Sequence, residues 1–211
     1  MKEKKFTPLM WCHLIMMAVL MVGSLVVAFI LFTGATSVIE AGYETWKSSD
    51  IFGACVHATR ALALCFGILY LVKSYRKNAA AFYKAFMLLL AVSNVFGTIT
   101  LITTLITMQG NPAADVSVAS NAQFILNFIH QIVKIALLLV LTFAQNLGKR
   151  NTWIVFYVLL AVDVIFNIFM ISPDGYVMIS ATSSLSKLFM DGTIGLAIKG
   201  KYDDKDARGT V

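Results

Sequence analysis

Six apolar runs, at 9–33, 51–72, 85–108, 122–144, 152–172 and 177–198, are separated by short polar connections. Each is near the roughly 20 residues that a helix needs to cross a hydrocarbon core. None shows the alternation of a barrel strand, and backbone groups in lipid must be satisfied within their own segment, so each run predicts an α-helix. The pattern predicts an all-α, polytopic integral membrane protein: one transmembrane domain over 1–211 with six transmembrane helices.

The polar connections alternate in charge. Lys2, Lys4 and Lys5 precede the first run, Lys73, Arg76, Lys77 and Lys84 separate the second from the third, and Lys149 and Arg150 separate the fourth from the fifth. The tail, 199–211, holds Lys199, Lys201, Lys205 and Arg208, whereas 34–50, 109–121 and 173–176 hold only Lys47. The positive-inside rule then puts both termini, the tail and the Lys- and Arg-bearing connections 73–84 and 145–151 in the cytoplasm and 34–50, 109–121 and 173–176 outside; the membrane is expected to be the plasma membrane. The outer connections are mildly acidic through Glu40, Glu44, Asp50, Asp115 and Asp174. Trp11, Tyr43, Trp46, Trp153 and Tyr176 fall near run ends, where amphipathic rings favour the interface. The first run is too long for the apolar part of a signal peptide and reads as a retained helix. The mixed-charge tail reads as a solvated or frayed end.

Composition narrows the class further. With 59% hydrophobic and 13% charged residues, the chain lies far from the roughly 45–50% and 25% of soluble domains. The net charge of +6 is spread in short groups that form no continuous patch, so nucleic acid is not an expected partner. Cys12, Cys55 and Cys65 all lie in apolar runs. Their odd number and lack of CxxC spacing argue against a disulfide framework or metal cluster and for packing roles.

The costly residues are those inside the runs. Arg60, Lys134, Asp163, Lys187 and Asp191 all fall in the middle third of their runs, roughly 15–20 Å from a membrane face at 1.5 Å per residue. Each disfavours insertion by about 2.5–3.5 kcal/mol, so they are expected to face the bundle interior and one another. Helical spacing adds polar neighbours on the same faces: His57 with Arg60; Asn127, His130, Gln131 and Lys134; Asp163 with Asn167; Lys187 with Asp191. These ten residues are the candidate substrate-binding set. Ser93, Asn94, Gly97 and Thr98 form a milder polar face on the third helix. The small residues from Ser180 to Ser186 read either as a permeation surface or as close helix packing.

Three cations against two carboxylates leave one surplus positive charge, which an anionic or zwitterionic guest would balance. The expected function is a small membrane transporter or channel-like carrier with a midplane site for a small polar or anionic solute, with His57 and His130 lining the outer approach. Six short spans enclose little volume, so a homo-oligomer or a partner membrane subunit is expected alongside the lipid bilayer. The structural alternative is an ion-pair network, Lys187 with Asp191 and Asp163 with Arg60 or Lys134, in a non-catalytic subunit that binds substrate or aids assembly. No cofactor is required, but His57 and His130 as axial haem ligands, or with Cys55 as metal ligands, give a second alternative.

Enzymatic signals are sparse. His57 followed by Cys65 in a small polytopic chain is similar to the His and Cys of the AgrB-type membrane peptidases. There the pair lies seven apart in a basic cytoplasmic segment, whereas here it lies eight apart in an apolar run, about 12 Å along a helix, so that activity is not carried over. HExxH, GxSxG and phosphate-loop motifs are missing. Leu89-Leu-Ala-Val-Ser93 and Leu159-Leu-Ala-Val-Asp163, with cations at similar depth in the even-numbered runs, suggest three helical hairpins in pseudo-repeat.

Overall fold

A computed structural model describes residues 7–33, 48–72, 79–109, 118–143, 147–169 and 177–206. These form six α-helices: α1 (Pro8–Thr33), α2 (Ser48–Leu71), α3 (Ala79–Gln109), α4 (Val118–Phe143), α5 (Lys149–Phe169) and α6 (Val177–Asp206). The start of α1 follows from its sequence. Thr7 is the cap, its carbonyl accepting from the Met10 amide at 2.9 Å, and Pro8 takes the first helical position, where its missing N–H costs nothing.

Among the described residues, four stretches are long and apolar enough to cross a membrane: Pro8–Thr33, Ile51–Leu71, Ala80–Thr103 and Phe124–Phe143. Asp163 lies within α5, and Lys187 and Asp191 lie within α6. Burial is inverted relative to a water-soluble fold. Leu9, Trp11, Ile15, Phe29 and Phe32 on α1 and Ile125, Ile129 and Phe143 on α4 face outward, while His130, Asp163, Asp191 and several Ser and Thr residues are buried. An apolar exterior around a partly polar interior is what a lipid solvent selects, and the chain belongs to the integral membrane class.

Helices adjacent in sequence pack side by side, and α6 closes the bundle against α2 and α3. The most extensive packing joins α2 to α3, followed by α1 to α2. The three hairpins suggested by the sequence therefore do not stand out as packing units. Gly67 explains the intimacy of α1, α2 and α3: a Cβ built there lies 3.1 Å from Met17 Cε and 3.2 Å from the Phe86 ring. A residue without a side chain lets two neighbours close over it, which is how helices gain contact where lipid removes the hydrophobic drive between them.

One expectation is corrected at the far end. α6 runs through Asp206 and takes in the first part of the segment read as a frayed tail. Tyr202 is buried, donates to the Leu147 carbonyl at 3.0 Å and accepts from the Thr152 hydroxyl at 2.5 Å. Tyr70 and Tyr83 pack alongside with ring centroids 5.9 Å apart, and the Lys201 ammonium lies 5.0 Å from the Tyr83 ring centre. Polar residues continue the helix there because tyrosines from α2 and α3 receive it. Tyr43, Trp46, Tyr176 and the outer connections lie outside the described residues.

Candidate functional site

Four helices supply the polar interior. α4 brings His130 and Lys134, one turn apart on the face opposite its exposed Ile125, Ile129 and Ile132, so amphipathicity alone turns them inward. α5 brings Asp163, α6 brings Lys187 and Asp191, and α2 brings His57 and Arg60.

Asp163 is the centre of this group and is 1% exposed. One carboxylate oxygen accepts from Lys134 Nζ at 2.5 Å and the other from His130 Nε2 at 2.5 Å. A carboxylate only accepts, so Nε2 carries the hydrogen in this bond. The His130 ring is also stacked on Phe166, with centroids 4.0 Å apart and planes inclined by 7°. Lys187 Nζ lies 5.6 Å from the centre of the same Phe166 ring. Phe166 thus carries an imidazole and an ammonium, the latter in cation–π range.

Asp191 differs from Asp163. It is equally buried, at 1% exposure, but neither of its oxygens has a hydrogen-bond partner among the described residues. The nearest ionic partner is Lys134 Nζ at 4.0 Å, which is already bonded to Asp163. His130 Nδ1 and Gln131 Oε1 are likewise buried without a partner among the described residues. The charges of Lys134, Asp163, Arg60 and Asp191 all act on Lys187, so the α2 guanidinium adds to the field of the α4–α5–α6 charges.

The ten candidates therefore divide. His130, Lys134, Asp163, Lys187 and Asp191 come together, and Arg60 acts on them through its charge without an ion pair among the described residues. Of the structural pairings read from sequence, Asp163 takes Lys134. His130, expected to line the outer approach, is instead part of the buried node. The α4 stripe splits: Gln131 turns toward α3, its amide 3.6 Å from the position a Gly97 Cβ would occupy. His57 and Asn127 are half-buried, and no hydrogen bond among the described residues joins them to the node. Asn167 lies on α5 with its side chain outside the described set, as do Ser180 and Ser184 on α6.

The α3 polar face does not contribute. Thr98 bonds the Asn94 carbonyl at 2.9 Å and Asn94 the Leu90 carbonyl at 2.7 Å, both within the helix. Ser93 donates to the α2 carbonyl of Val56 at 3.0 Å and so ties α3 to α2. Phe166 was not among the candidates. Its signal is its place three residues after Asp163, on the same face of α5. His13 of α1 reaches α6: the Thr193 hydroxyl donates to Phe189 O at 2.9 Å, so His13 Nε2 is the donor in its 3.0 Å bond to Thr193 Oγ1. The His13 ring also stacks on Phe189 at 5.5 Å.

All three cysteines are free thiols. Among the described residues no three His, Cys, Asp or Glu side chains form a metal-binding group. The chain matches no protein-family model, no curated protein and no solved structure.

Proposed function

We propose that the chain is a small six-span membrane carrier with both termini cytoplasmic in the plasma membrane, and that the Lys134–Asp163–Asp191–Lys187 node with Arg60 is its site for a small zwitterionic or anionic solute. One observation carries this reading: Asp191 is buried at the node with both oxygens unbonded among the described residues, while its nearest cation is committed to Asp163.

Magnitudes favour a working site over a structural clamp. Each ionised group at mid-membrane disfavours insertion by about 2.5–3.5 kcal/mol. Interhelical polar contacts in membranes return on average about 0.6 kcal/mol and at most about 1.7. Several charges kept at one place are thus a net burden on stability, and a buried ion pair is weak evidence of a stabilising role. A zwitterion meets the node at both ends: its ammonium with the acceptor Asp191, its anionic end with the positive charge of Arg60. With α5 and α6 shielding their charges toward the bundle interior, all six helices can sit in the bilayer.

The test is uptake into proteoliposomes holding the full-length protein, with radiolabelled zwitterionic amino acids, small carboxylates and inorganic anions as separate probes. At least one zwitterionic or anionic probe is expected to accumulate, and Arg60→Ala, still monodisperse in detergent, is expected to lose that uptake. Uptake of no probe by the wild type, or full uptake by Arg60→Ala, overturns the proposal.

A further inference from the structure

Asp163 and Asp191 are equivalent in chemistry and burial, yet one has every bond and the other none among the described residues. Lys134 sits 2.5 Å from Asp163 and 4.0 Å from Asp191. Two ionised carboxylates would pull a single ammonium toward a shared position, and each would repel the other in a poorly screened interior. The observed asymmetry is the arrangement expected when only Asp163 is charged.

From this geometry we infer that Asp191 is a proton-binding site, and that this proton decides whether Lys134 pairs with Asp163 alone or is divided between both carboxylates. The step is balanced: a proton passes from water to an Asp191 oxygen, no covalent bond other than the new O–H changes, and Lys134 keeps its charge. The inference deepens the reading of the node as a carrier site, but it needs no solute to be tested. A bound metal cation is the weaker occupant, because Lys134 and Lys187 flank Asp191 with positive charge and a proton neutralises the oxygen directly. The remaining groups around Asp191 fit the same picture. Asp163 on α5 carries His130 and Lys134 of α4, Arg60 of α2 acts through Lys187, and His13 of α1 is held by Thr193 and lies 3.7 Å from the Cβ position of Gly192, next to Asp191.

The consequence is a coupling between protonation and helix packing. Losing the proton frees an Asp191 charge that draws Lys134 from Asp163, and α4 then shifts its hold from α5 toward α6.

Infrared difference spectroscopy on the full-length protein in lipid vesicles tests this, because a protonated carboxyl has a carbonyl stretch separate from carboxylate and amide bands and shifts in deuterated water. At pH 7, where water-exposed carboxyls are ionised, the wild type is expected to show one such deuterium-sensitive band. Asp191→Asn is expected to lose it while remaining folded, and Asp191→Glu to keep it at a displaced frequency. Asp191→Glu also serves if the asparagine variant does not fold. The inference is overturned by an absent wild-type band, by a band that survives Asp191→Asn and vanishes in Asp163→Asn, or by a band displaced by sodium or potassium at constant pH. A band with no accompanying uptake of any probe leaves the Asp191 site standing and removes only the carrier reading.

Discussion

The two halves of the bundle are held together by different means. α1, α2 and α3 approach over small residues: Gly67 lies under Met17 and Phe86, Ala63 and Leu64 are fully buried, and a polar tie runs from Ser93 to the Val56 carbonyl. α4, α5 and α6 pack less extensively and are joined by Lys134, His130, Asp163 and Phe166. Close packing has one solution and resists displacement. A charge node has several arrangements of nearly equal energy, because an ammonium can change partners without creating a void. The first half is suited to being a frame and the second to changing state.

The largest expected effect lies in the second half. Lys134→Ala leaves Asp163 buried with an unmet charge and is expected to cost about 3–5 kcal/mol. Lys134→Ala with Asp163→Ala is expected to recover most of that. Thermal unfolding of the detergent-purified protein reads both, and a double variant no better than the single would mean that the node does not act as a charge pair. In the first half, Gly67→Leu is expected to force α1 and α3 off α2 and cost about 1–3 kcal/mol. If the same measurement shows no loss, tight packing does not define that half.

Phe166→Leu keeps an apolar side chain but removes the ring shared by His130 and Lys187, and about 1 kcal/mol is expected to go with it. A loss as large as that of Lys134→Ala would make the aromatic, not the ion pair, the centre of the node. Asp191→Asn is expected to change stability least, within about 0.5 kcal/mol, since Asp191 has no hydrogen bond to lose among the described residues. A loss of several kcal/mol in that variant would mean that Asp191 is an ionised structural partner.

Hydropathy alone located all six helices, because each apolar run is bounded by charges that lipid rejects. Their ends were less legible. α6 continues past 198 to Asp206 because Tyr202 finds Thr152 and Leu147, partners some 50 residues away that no local pattern reveals. In the interior, the burial cost of charge predicted that Lys134, Asp163 and Asp191 would meet, and they do. Which carboxylate Lys134 takes depends on rotation about helix axes and could not be read from spacing. The α4 stripe shows the same limit: one turn of helix places His130 and Lys134 toward α5, while Gln131, a single residue on, turns to Gly97 of α3. Phe166 is not legible in the sequence, because an aromatic in an apolar run has the pattern of lipid-facing or core packing and only the His130 ring stacked on it sets it apart.

Uptake by a charge-neutral node tests the central claim most directly. In Lys134→Gln with Asp163→Asn the pair is replaced by hydrogen-bonding amides of similar size, and the protein is expected to remain folded in proteoliposomes. The account predicts that this variant accumulates none of the labelled zwitterion or anion that the wild type takes up. Wild-type uptake by the folded double variant would contradict it and leave the node as packing alone.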